Sequence, residues 1–86
     1  FHNDEKHLSG KYVNVLKEGF VSIDMAQNIL VVKTVSGMAM AVAAAIDAMK
    51  YPEIVGSIAG DDTIMMAVRT VEDTKSLMNQ ILQLVH

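Results

Sequence analysis

Two adjacent carboxylates, Asp61 and Asp62, stand between two apolar segments and are flanked by Gly60 and Thr63. Aspartate is depleted in strands and favoured in turns, and glycine adopts backbone angles that a Cβ would forbid. The pattern therefore predicts a tight bend that carries two negative charges. Because neighbouring carboxylates repel each other, such a bend suits the binding of a cation. The alternative is a polar hairpin turn that serves only solubility.

A carboxylate pair is also compatible with acid–base catalysis or Mg²⁺ binding. Acid–base work by such a pair requires two environments that differ, and the sequence provides no nucleophile with an adjacent base. We therefore predict that the protein is not an enzyme. His2 and His7, with carboxylates between them, are a second candidate for metal binding, although a solvated linker is the simpler interpretation.

The composition indicates one small domain that associates with other subunits. The chain has 86 residues, of which 51% are hydrophobic, and a domain of this size buries only about 60% of its unfolded surface. Oligomerisation would cover the remaining apolar surface. The net charge is −3 and the seven Lys and Arg residues are scattered, which argues against nucleic-acid binding by this chain itself. The absence of cysteine excludes disulfides and is compatible with the cytoplasm.

The start of the chain indicates a linker rather than a membrane anchor. No apolar run approaches the roughly 18 residues that span a bilayer, and no signal peptide is visible. Because the chain begins with Phe1, we expect it to be a fragment. Residues 1–10 are polar and aperiodic, and residues 11–18, followed by Gly19, predict a short helix. We assign residues 1–19 to a linker with a partial N-terminal helix and residues 20–86 to the folded domain.

Four segments have the pattern of strands. Residues 20–25 alternate, with Val21, Ile23 and Met25 on one face, which is typical of a half-buried strand. Residues 29–34 form a nearly continuous β-branched run, which predicts a well-buried strand that pairs with the first as a hairpin. Residues 54–59 and 63–69 predict two further strands on either side of the acidic bend.

Two segments predict helices of different character. Residues 38–50 contain six alanines, with Ser36 as the predicted N-cap. Asp47 and Lys50 are the only charges of this helix, so it must be covered on both sides, and Asp47 near an interface would need a partner. Alternatively, Asp47 lies at the rim and pairs with a lysine. Thr70 is predicted to cap an amphipathic helix whose sheet-facing residues are Val71, Thr74, Met78, Ile81, Leu82 and Val85.

These elements predict an α+β domain of order ββαββα. It has two layers, a small and mainly antiparallel four-stranded sheet with two helices on one face. The opposite face of the sheet, rich in apolar strand residues, is a further candidate for association.

Two motifs with Asp47 between them resemble the C-terminal domain of bacterial arginine repressors. The motifs are Ser36-Gly37-Met38-Ala39-Met40 and Gly56-Ser57-Ile58-Ala59-Gly60-Asp61-Asp62-Thr63-Ile64. The likeness runs from about residue 20 to residue 85, which is most of the chain. The fold that the resemblance implies has the same ββαββα order.

The resemblance implies a cytoplasmic transcriptional regulator of arginine metabolism. Its domain would assemble into trimers, and two trimers into a hexamer, with L-arginine as corepressor at the trimer–trimer interface and no other cofactor. Operator DNA would be bound only through an N-terminal domain that is missing from this chain.

The resemblance also implies the residues of the arginine site. Asp61 and Asp62 match the family's acidic pair that holds the ligand, Asp47 matches its third acidic position, and Ala59 and Met40 complete the set. A carboxylate accepts the planar guanidinium fork bidentately. Carboxylates from several subunits would repel until a cation arrives, so ligand binding and assembly would favour each other.

Met40 is a departure from the resembled family. There a glutamine at this position helps to hold arginine. The thioether of methionine neither donates nor accepts hydrogen bonds as well as the glutamine amide does. Met38 likewise replaces a polar residue. These differences support an alternative function, that of a structural oligomerisation domain in a paralogue with a weakened or lost arginine response.

Overall fold

Three helices and four strands follow one another along the chain. The computed structural model describes residues 2–86, with side chains from Gly10 onward. The elements are α1 (His2–Gly19), β1 (Phe20–Ala26), β2 (Ile29–Thr34), α2 (Ala39–Ala48), β3 (Ile54–Ala59), β4 (Thr63–Val68) and α3 (Val71–Val85). From β1 onward this is the predicted ββαββα order, and the α+β class is confirmed. Over the described residues, none of the helices combines the length and apolarity that a bilayer crossing requires.

The sheet consists of two hairpins that lie side by side. Its strand order is β1-β2-β4-β3, and every neighbouring pair is antiparallel. The two strands with the most continuous apolar sequences, β2 and β4, therefore occupy the centre. Because β2 and β4 are antiparallel neighbours, the end of β2 lies beside the start of β4, and the β2–α2 loop and the β3–β4 turn come close together.

The hydrophobic core lies between one face of the sheet and the helices. Alternate residues of β2 and β4 are buried there, and α2 and α3 add residues to the same cluster. The cluster includes Leu30, Val32, Ile64, Met66 and Val68 from the strands and Val42, Ile46, Leu77 and Ile81 from the helices. Both predicted helices thus cover one face, and none of the elements that the structure describes covers the other.

Helix α1 is longer than the sequence indicated. It begins at His2, so the tail expected over residues 1–10 is helical from residue 2, and it ends at Gly19, one residue beyond the predicted end. Leu16 is fully buried against the core, which anchors the helix, and a nucleated helix propagates easily. The core therefore takes in a residue that precedes the expected domain start at Phe20. Gly19 meets α2 closely, since an added Cβ would lie 2.6 Å from Cγ2 of Val42.

Bulges change which residues of the edge strands face the core. The pairing of β1 shifts between Phe20 and Ser22, and Val21 is 57% exposed rather than on the core face with Ile23 and Met25. The pairing of β3 shifts in the same way beside Val55. Bulges are frequent in edge strands, where they add a residue and reverse the alternation.

The helix ends confirm one predicted cap and correct another. Helix α2 begins at Ala39, and the residue before it makes no side-chain cap, so Ser36 is not the N-cap; the helix also ends at Ala48, before the predicted residue 50. At α3, the Thr70 hydroxyl accepts from the backbone amide of Asp73 at 2.9 Å, as predicted.

The buried stripe of α3 differs from the predicted one. Val71 is exposed and Leu77 is fully buried between Thr74 and Ile81. The same 3–4 spacing is satisfied by either Leu77 or Met78, and only the position of the helix on the sheet decides between them.

Candidate ligand-binding site at the acidic turn

The turn between β3 and β4 carries the two aspartates to the surface. The backbone amide of Gly60 donates to the carbonyl of Thr63 at 2.8 Å and closes the end of the hairpin. Asp61 and Asp62 lie at the bend between them, and both are exposed. The predicted tight bend with two adjacent carboxylates is therefore present.

The backbone of this turn is fixed to the loop between β2 and α2. The amide of Thr34 donates to the carbonyl of Asp62 at 2.7 Å, and the amides of Gly37 and Ala39 donate to the carbonyl of Asp61 at 3.1 and 3.2 Å. Gly37 has a φ of 81°, a left-handed conformation that a side chain would disfavour. Because these bonds use backbone carbonyls, the turn is positioned without engaging its carboxylates.

A short chain of side-chain hydrogen bonds distinguishes the two aspartates. The Thr63 hydroxyl donates to Oδ1 of Asp62 at 3.0 Å, and Nζ of Lys33 donates to the same hydroxyl at 3.0 Å. Lys33 and Thr63 are cross-strand partners of β2 and β4. The sequence alone did not indicate Lys33, because the contact depends on the register of β2 and β4, which α2 and β3 separate in the chain.

Met40 and Ala59 lie near the acidic turn but present different groups. Met40 follows Ala39 in the first turn of α2, and its side chain is 72% exposed. Its thioether supplies apolar surface and a weak acceptor rather than a hydrogen-bond donor. Ala59 is the last residue of β3, and its side chain is packed against the core. Any contact from Ala59 to a ligand would therefore come from its backbone.

Asp47 is exposed but lies far from the acidic turn within one chain. It is eight residues beyond Ala39, which corresponds to about 12 Å along a helix axis. It is also seven residues beyond Met40, so both side chains lie on one face of α2, and both are exposed. The structure thus brings Asp61, Asp62, Met40 and Ala59 to one end of the domain and does not bring Asp47 to them.

The uncovered sheet face is apolar beside the acidic turn. Ile58 is 80% exposed, and its cross-strand partner Met65 is also exposed. Together with Ile29 and Ala67 they line an open depression that extends to Gly60. The exposed face of α2 is apolar as well, apart from Asp47. Large exposed apolar patches mark association surfaces.

The structure provides no support for a metal centre in the part of the chain that it describes. Across those residues, no group of three or more His, Asp or Glu side chains is placed to hold an ion. The side chains of His2 and His7, the candidate pair, lie outside the described residues.

Comparisons with known proteins identify the family to which the chain belongs. Residues 16–83 match the family described as "Arginine repressor, C-terminal domain". The chain is 68% identical over 82 residues to an arginine repressor of Lachnospira eligens, covering 95% of this chain and 54% of that protein. It is 62% identical over 84 residues to one of Lachnoclostridium phytofermentans, covering 98% and 55%. An arginine repressor of Ruminiclostridium cellulolyticum is 46% identical over 80 residues, covering 93% and 53%.

These relatives extend well beyond the matched region, since the chain spans about half of their length. The match nevertheless includes every strand of the sheet, the acidic turn, all of α2 and most of α3. The chain belongs to the family of arginine repressor C-terminal domains.

Proposed function

We propose that this chain is the oligomerisation and effector-binding part of an arginine-responsive transcriptional regulator of arginine metabolism. The acidic turn carries the proposal, because Asp61 and Asp62 are anchored through their backbone carbonyls and both residues are exposed, with Oδ1 of Asp62 accepting from Thr63. L-Arginine offers two cationic groups, a guanidinium and an α-amino group. A carboxylate accepts a guanidinium through two parallel hydrogen bonds, and a second carboxylate suits the amino group.

The exposed apolar surfaces support self-association as a trimer and, from two trimers, a hexamer. Side chains such as Ile58 and Met65 would remain in water in an isolated chain, and burying them is favourable. We assign the apolar part of the uncovered sheet face, around Ile58 and Met65, to contacts within the trimer. The exposed face of α2, beside the acidic turn, is then available for contact between trimers.

The position of Asp47 supports a ligand site shared between subunits. In one chain, Asp47 lies about two helical turns from the end of α2 that contacts the acidic turn. A ligand that contacts Asp47 and the Asp61–Asp62 pair would therefore take them from different subunits. Arginine at the trimer–trimer interface would link the trimers, so arginine binding and hexamer formation would strengthen each other.

DNA binding belongs, in this proposal, to a segment outside this chain. The chain is about half as long as its relatives, and it has a net charge of −3 with scattered basic residues, whereas phosphate contacts need clustered Lys and Arg. The complete protein would bind operator DNA in the cytoplasm through its N-terminal part. The family consists of repressors rather than enzymes, so an acid–base role for the aspartates is set aside.

Met40 favours a second candidate function, a structural oligomerisation domain without an arginine response. Its side chain projects into solvent beside the acidic turn, and a thioether cannot replace a donor of hydrogen bonds to a ligand. In this case the domain would assemble equally well with and without arginine.

Isothermal titration calorimetry with L-arginine tests the proposal on the wild-type chain, Asp61→Asn and a control, Glu72→Gln. Glu72 is an exposed acid in the first turn of α3. We expect Asp61→Asn to weaken binding at least about tenfold, because a charge-assisted contact contributes about 1.5–3 kcal/mol. Since the turn is anchored through the Asp61 carbonyl, its fold and trimer should persist, and Glu72→Gln should bind as the wild type does.

Two results of this titration would contradict parts of the proposal. Wild-type affinity in Asp61→Asn would remove Asp61 from the site. Failure of the wild-type chain to bind arginine, in a properly assembled sample, would favour the structural module.

A further inference from the structure

Lys33 brings a fixed positive charge to the acidic turn. It lies near the end of β2 on the uncovered sheet face, opposite Thr63 of β4. Its ammonium donates to the Thr63 hydroxyl, which in turn donates to Oδ1 of Asp62, each at 3.0 Å. Two hydrogen bonds in series place the charge within about 6 Å of the carboxylate, the range in which charges interact appreciably.

The chemistry of the three groups fixes the direction of the two hydrogen bonds. An ammonium has donors but no acceptor, so the Thr63 hydroxyl must accept from Lys33. The single proton of the hydroxyl is then directed to Asp62. The positive charge of Lys33 therefore lies on the Asp62 side of the turn and partly offsets the negative charge of the two neighbouring carboxylates when no ligand is bound.

We propose that Lys33 is an internal counter-cation of the acidic turn, which opposes the arginine cation and thereby sets the arginine concentration at which the site fills. The inference rests on the proposed function. A ligand that brings positive charge to Asp61 and Asp62 is repelled by the Lys33 ammonium, which is already linked to Asp62 through the Thr63 hydroxyl. Lys33 is exposed, so this repulsion is screened by salt. Removing the charge should therefore strengthen arginine binding, mainly at low ionic strength.

Calorimetric titration of L-arginine into the wild-type chain, Lys33→Gln, Lys33→Arg and a control, Lys75→Gln, tests the inference. Lys75 is an exposed lysine on α3, so the control makes the same change in net charge away from the turn. Each protein is titrated at about 0.01 M and about 1 M salt, where the Debye length is roughly 30 Å and 3 Å.

At low salt, Lys33→Gln should bind arginine about threefold to tenfold more tightly than the wild type, as expected for removing a like charge at this distance. The gain should disappear at high salt. Lys33→Arg, which keeps the charge, should bind as the wild type does, and Lys75→Gln should show no comparable gain. A loss of packing or folding would not increase affinity, so a gain in affinity separates this role from a structural one.

Equal or weaker binding by Lys33→Gln, with the wild type binding arginine, would overturn the inference and leave the proposed function intact. An equal gain in Lys75→Gln would also overturn it, since the effect would then come from net charge alone. Absence of binding by the wild type would overturn the proposed function and this inference with it.

Discussion

The backbone amide of Ala39, the first residue of α2, donates to the backbone carbonyl of Asp61 at 3.2 Å. The start of a helix has amides without intrahelical partners, and a polar side chain usually supplies an acceptor. Here the turn that carries the two aspartates supplies one. The same bond therefore completes α2 and fixes the turn, while Asp61 itself remains exposed.

The exposed apolar residue Ile58 tests the association surface. Ile58→Lys should break the proposed trimer into monomers, because a charge would enter the proposed contact. The monomer should keep its fold, since substitutions of exposed residues usually change stability by about 0.5 kcal/mol or less. Val71→Lys is the control, because Val71 is also exposed but lies on α3. Size-exclusion chromatography with light scattering measures the assembly, and an intact trimer in Ile58→Lys would contradict the assignment.

The two predicted helix caps, Thr70 and Ser36, should behave differently. Thr70→Ala should destabilise the domain by about 1 kcal/mol, because the Thr70 hydroxyl caps the amide of Asp73 and such caps contribute about 0.5–2 kcal/mol. Ser36→Ala should change stability by less than about 0.5 kcal/mol, since α2 has no side-chain cap. Urea denaturation followed by circular dichroism compares the two. Equal effects would show that the Ser36 side chain also caps a helix.

Two glycines of α1 should respond oppositely to alanine. At Gly19 the added Cβ would meet Cγ2 of Val42 at 2.6 Å, and overpacking of this kind costs about 1–3 kcal/mol. At Gly10 an added Cβ meets nothing within 4 Å, and alanine favours a helix over glycine by about 0.5–1 kcal/mol. Thermal unfolding should therefore rank Gly10→Ala above the wild type and Gly19→Ala below it. A Gly19→Ala variant that unfolds at the same temperature as the wild type, or at a higher one, would exclude the close contact between α1 and α2.

Tyr51 should make the domain less stable at alkaline pH. Burial, and to a smaller extent the charge of Glu53, raise the pKa of Tyr51 above its ordinary value of 10.0. Its hydroxyl donates to the Met49 thioether at 3.6 Å. Because the folded-state pKa is the higher one, the protonated phenol stabilises the fold below pH 10.0, and this contribution is lost as the pH rises through the folded-state value.

Tyr51→Phe removes this titration and provides the measurement. The difference in melting temperature between the wild type and Tyr51→Phe should be constant below pH 10.0 and should shift against the wild type above it. Parallel melting curves across this range would show that Tyr51 ionises equally in the folded and unfolded chain.

Much of the fold follows from local sequence patterns. The strands at 29–34 and 54–59 have the predicted bounds, because β-branched residues between turn signals specify strands strongly. The acidic bend was predicted for a similar reason, since Gly60 and two aspartates cannot easily continue a strand. The cap at Thr70 also depends only on neighbouring residues.

The features that the sequence did not reveal depend on contacts between distant segments. A bulge turns Val21 away from the core, and no local alternation reports an extra residue in a strand. The amide of Ala39 finds its acceptor in Asp61, so Ser36 is not needed as a cap. Lys33 reaches Thr63 only because β2 and β4 are neighbours in the sheet, which the order of the segments alone does not determine.

Sedimentation equilibrium of this chain, with and without millimolar L-arginine, tests the central claim most directly. The proposed site lies between trimers and binds a cation to Asp61 and Asp62, so arginine should convert trimers into hexamers. Asp61→Asn should remain a trimer under both conditions. A hexamer that forms equally without arginine would contradict the ligand-sensing function and favour the structural module, and a monomer under both conditions would contradict the assembly itself.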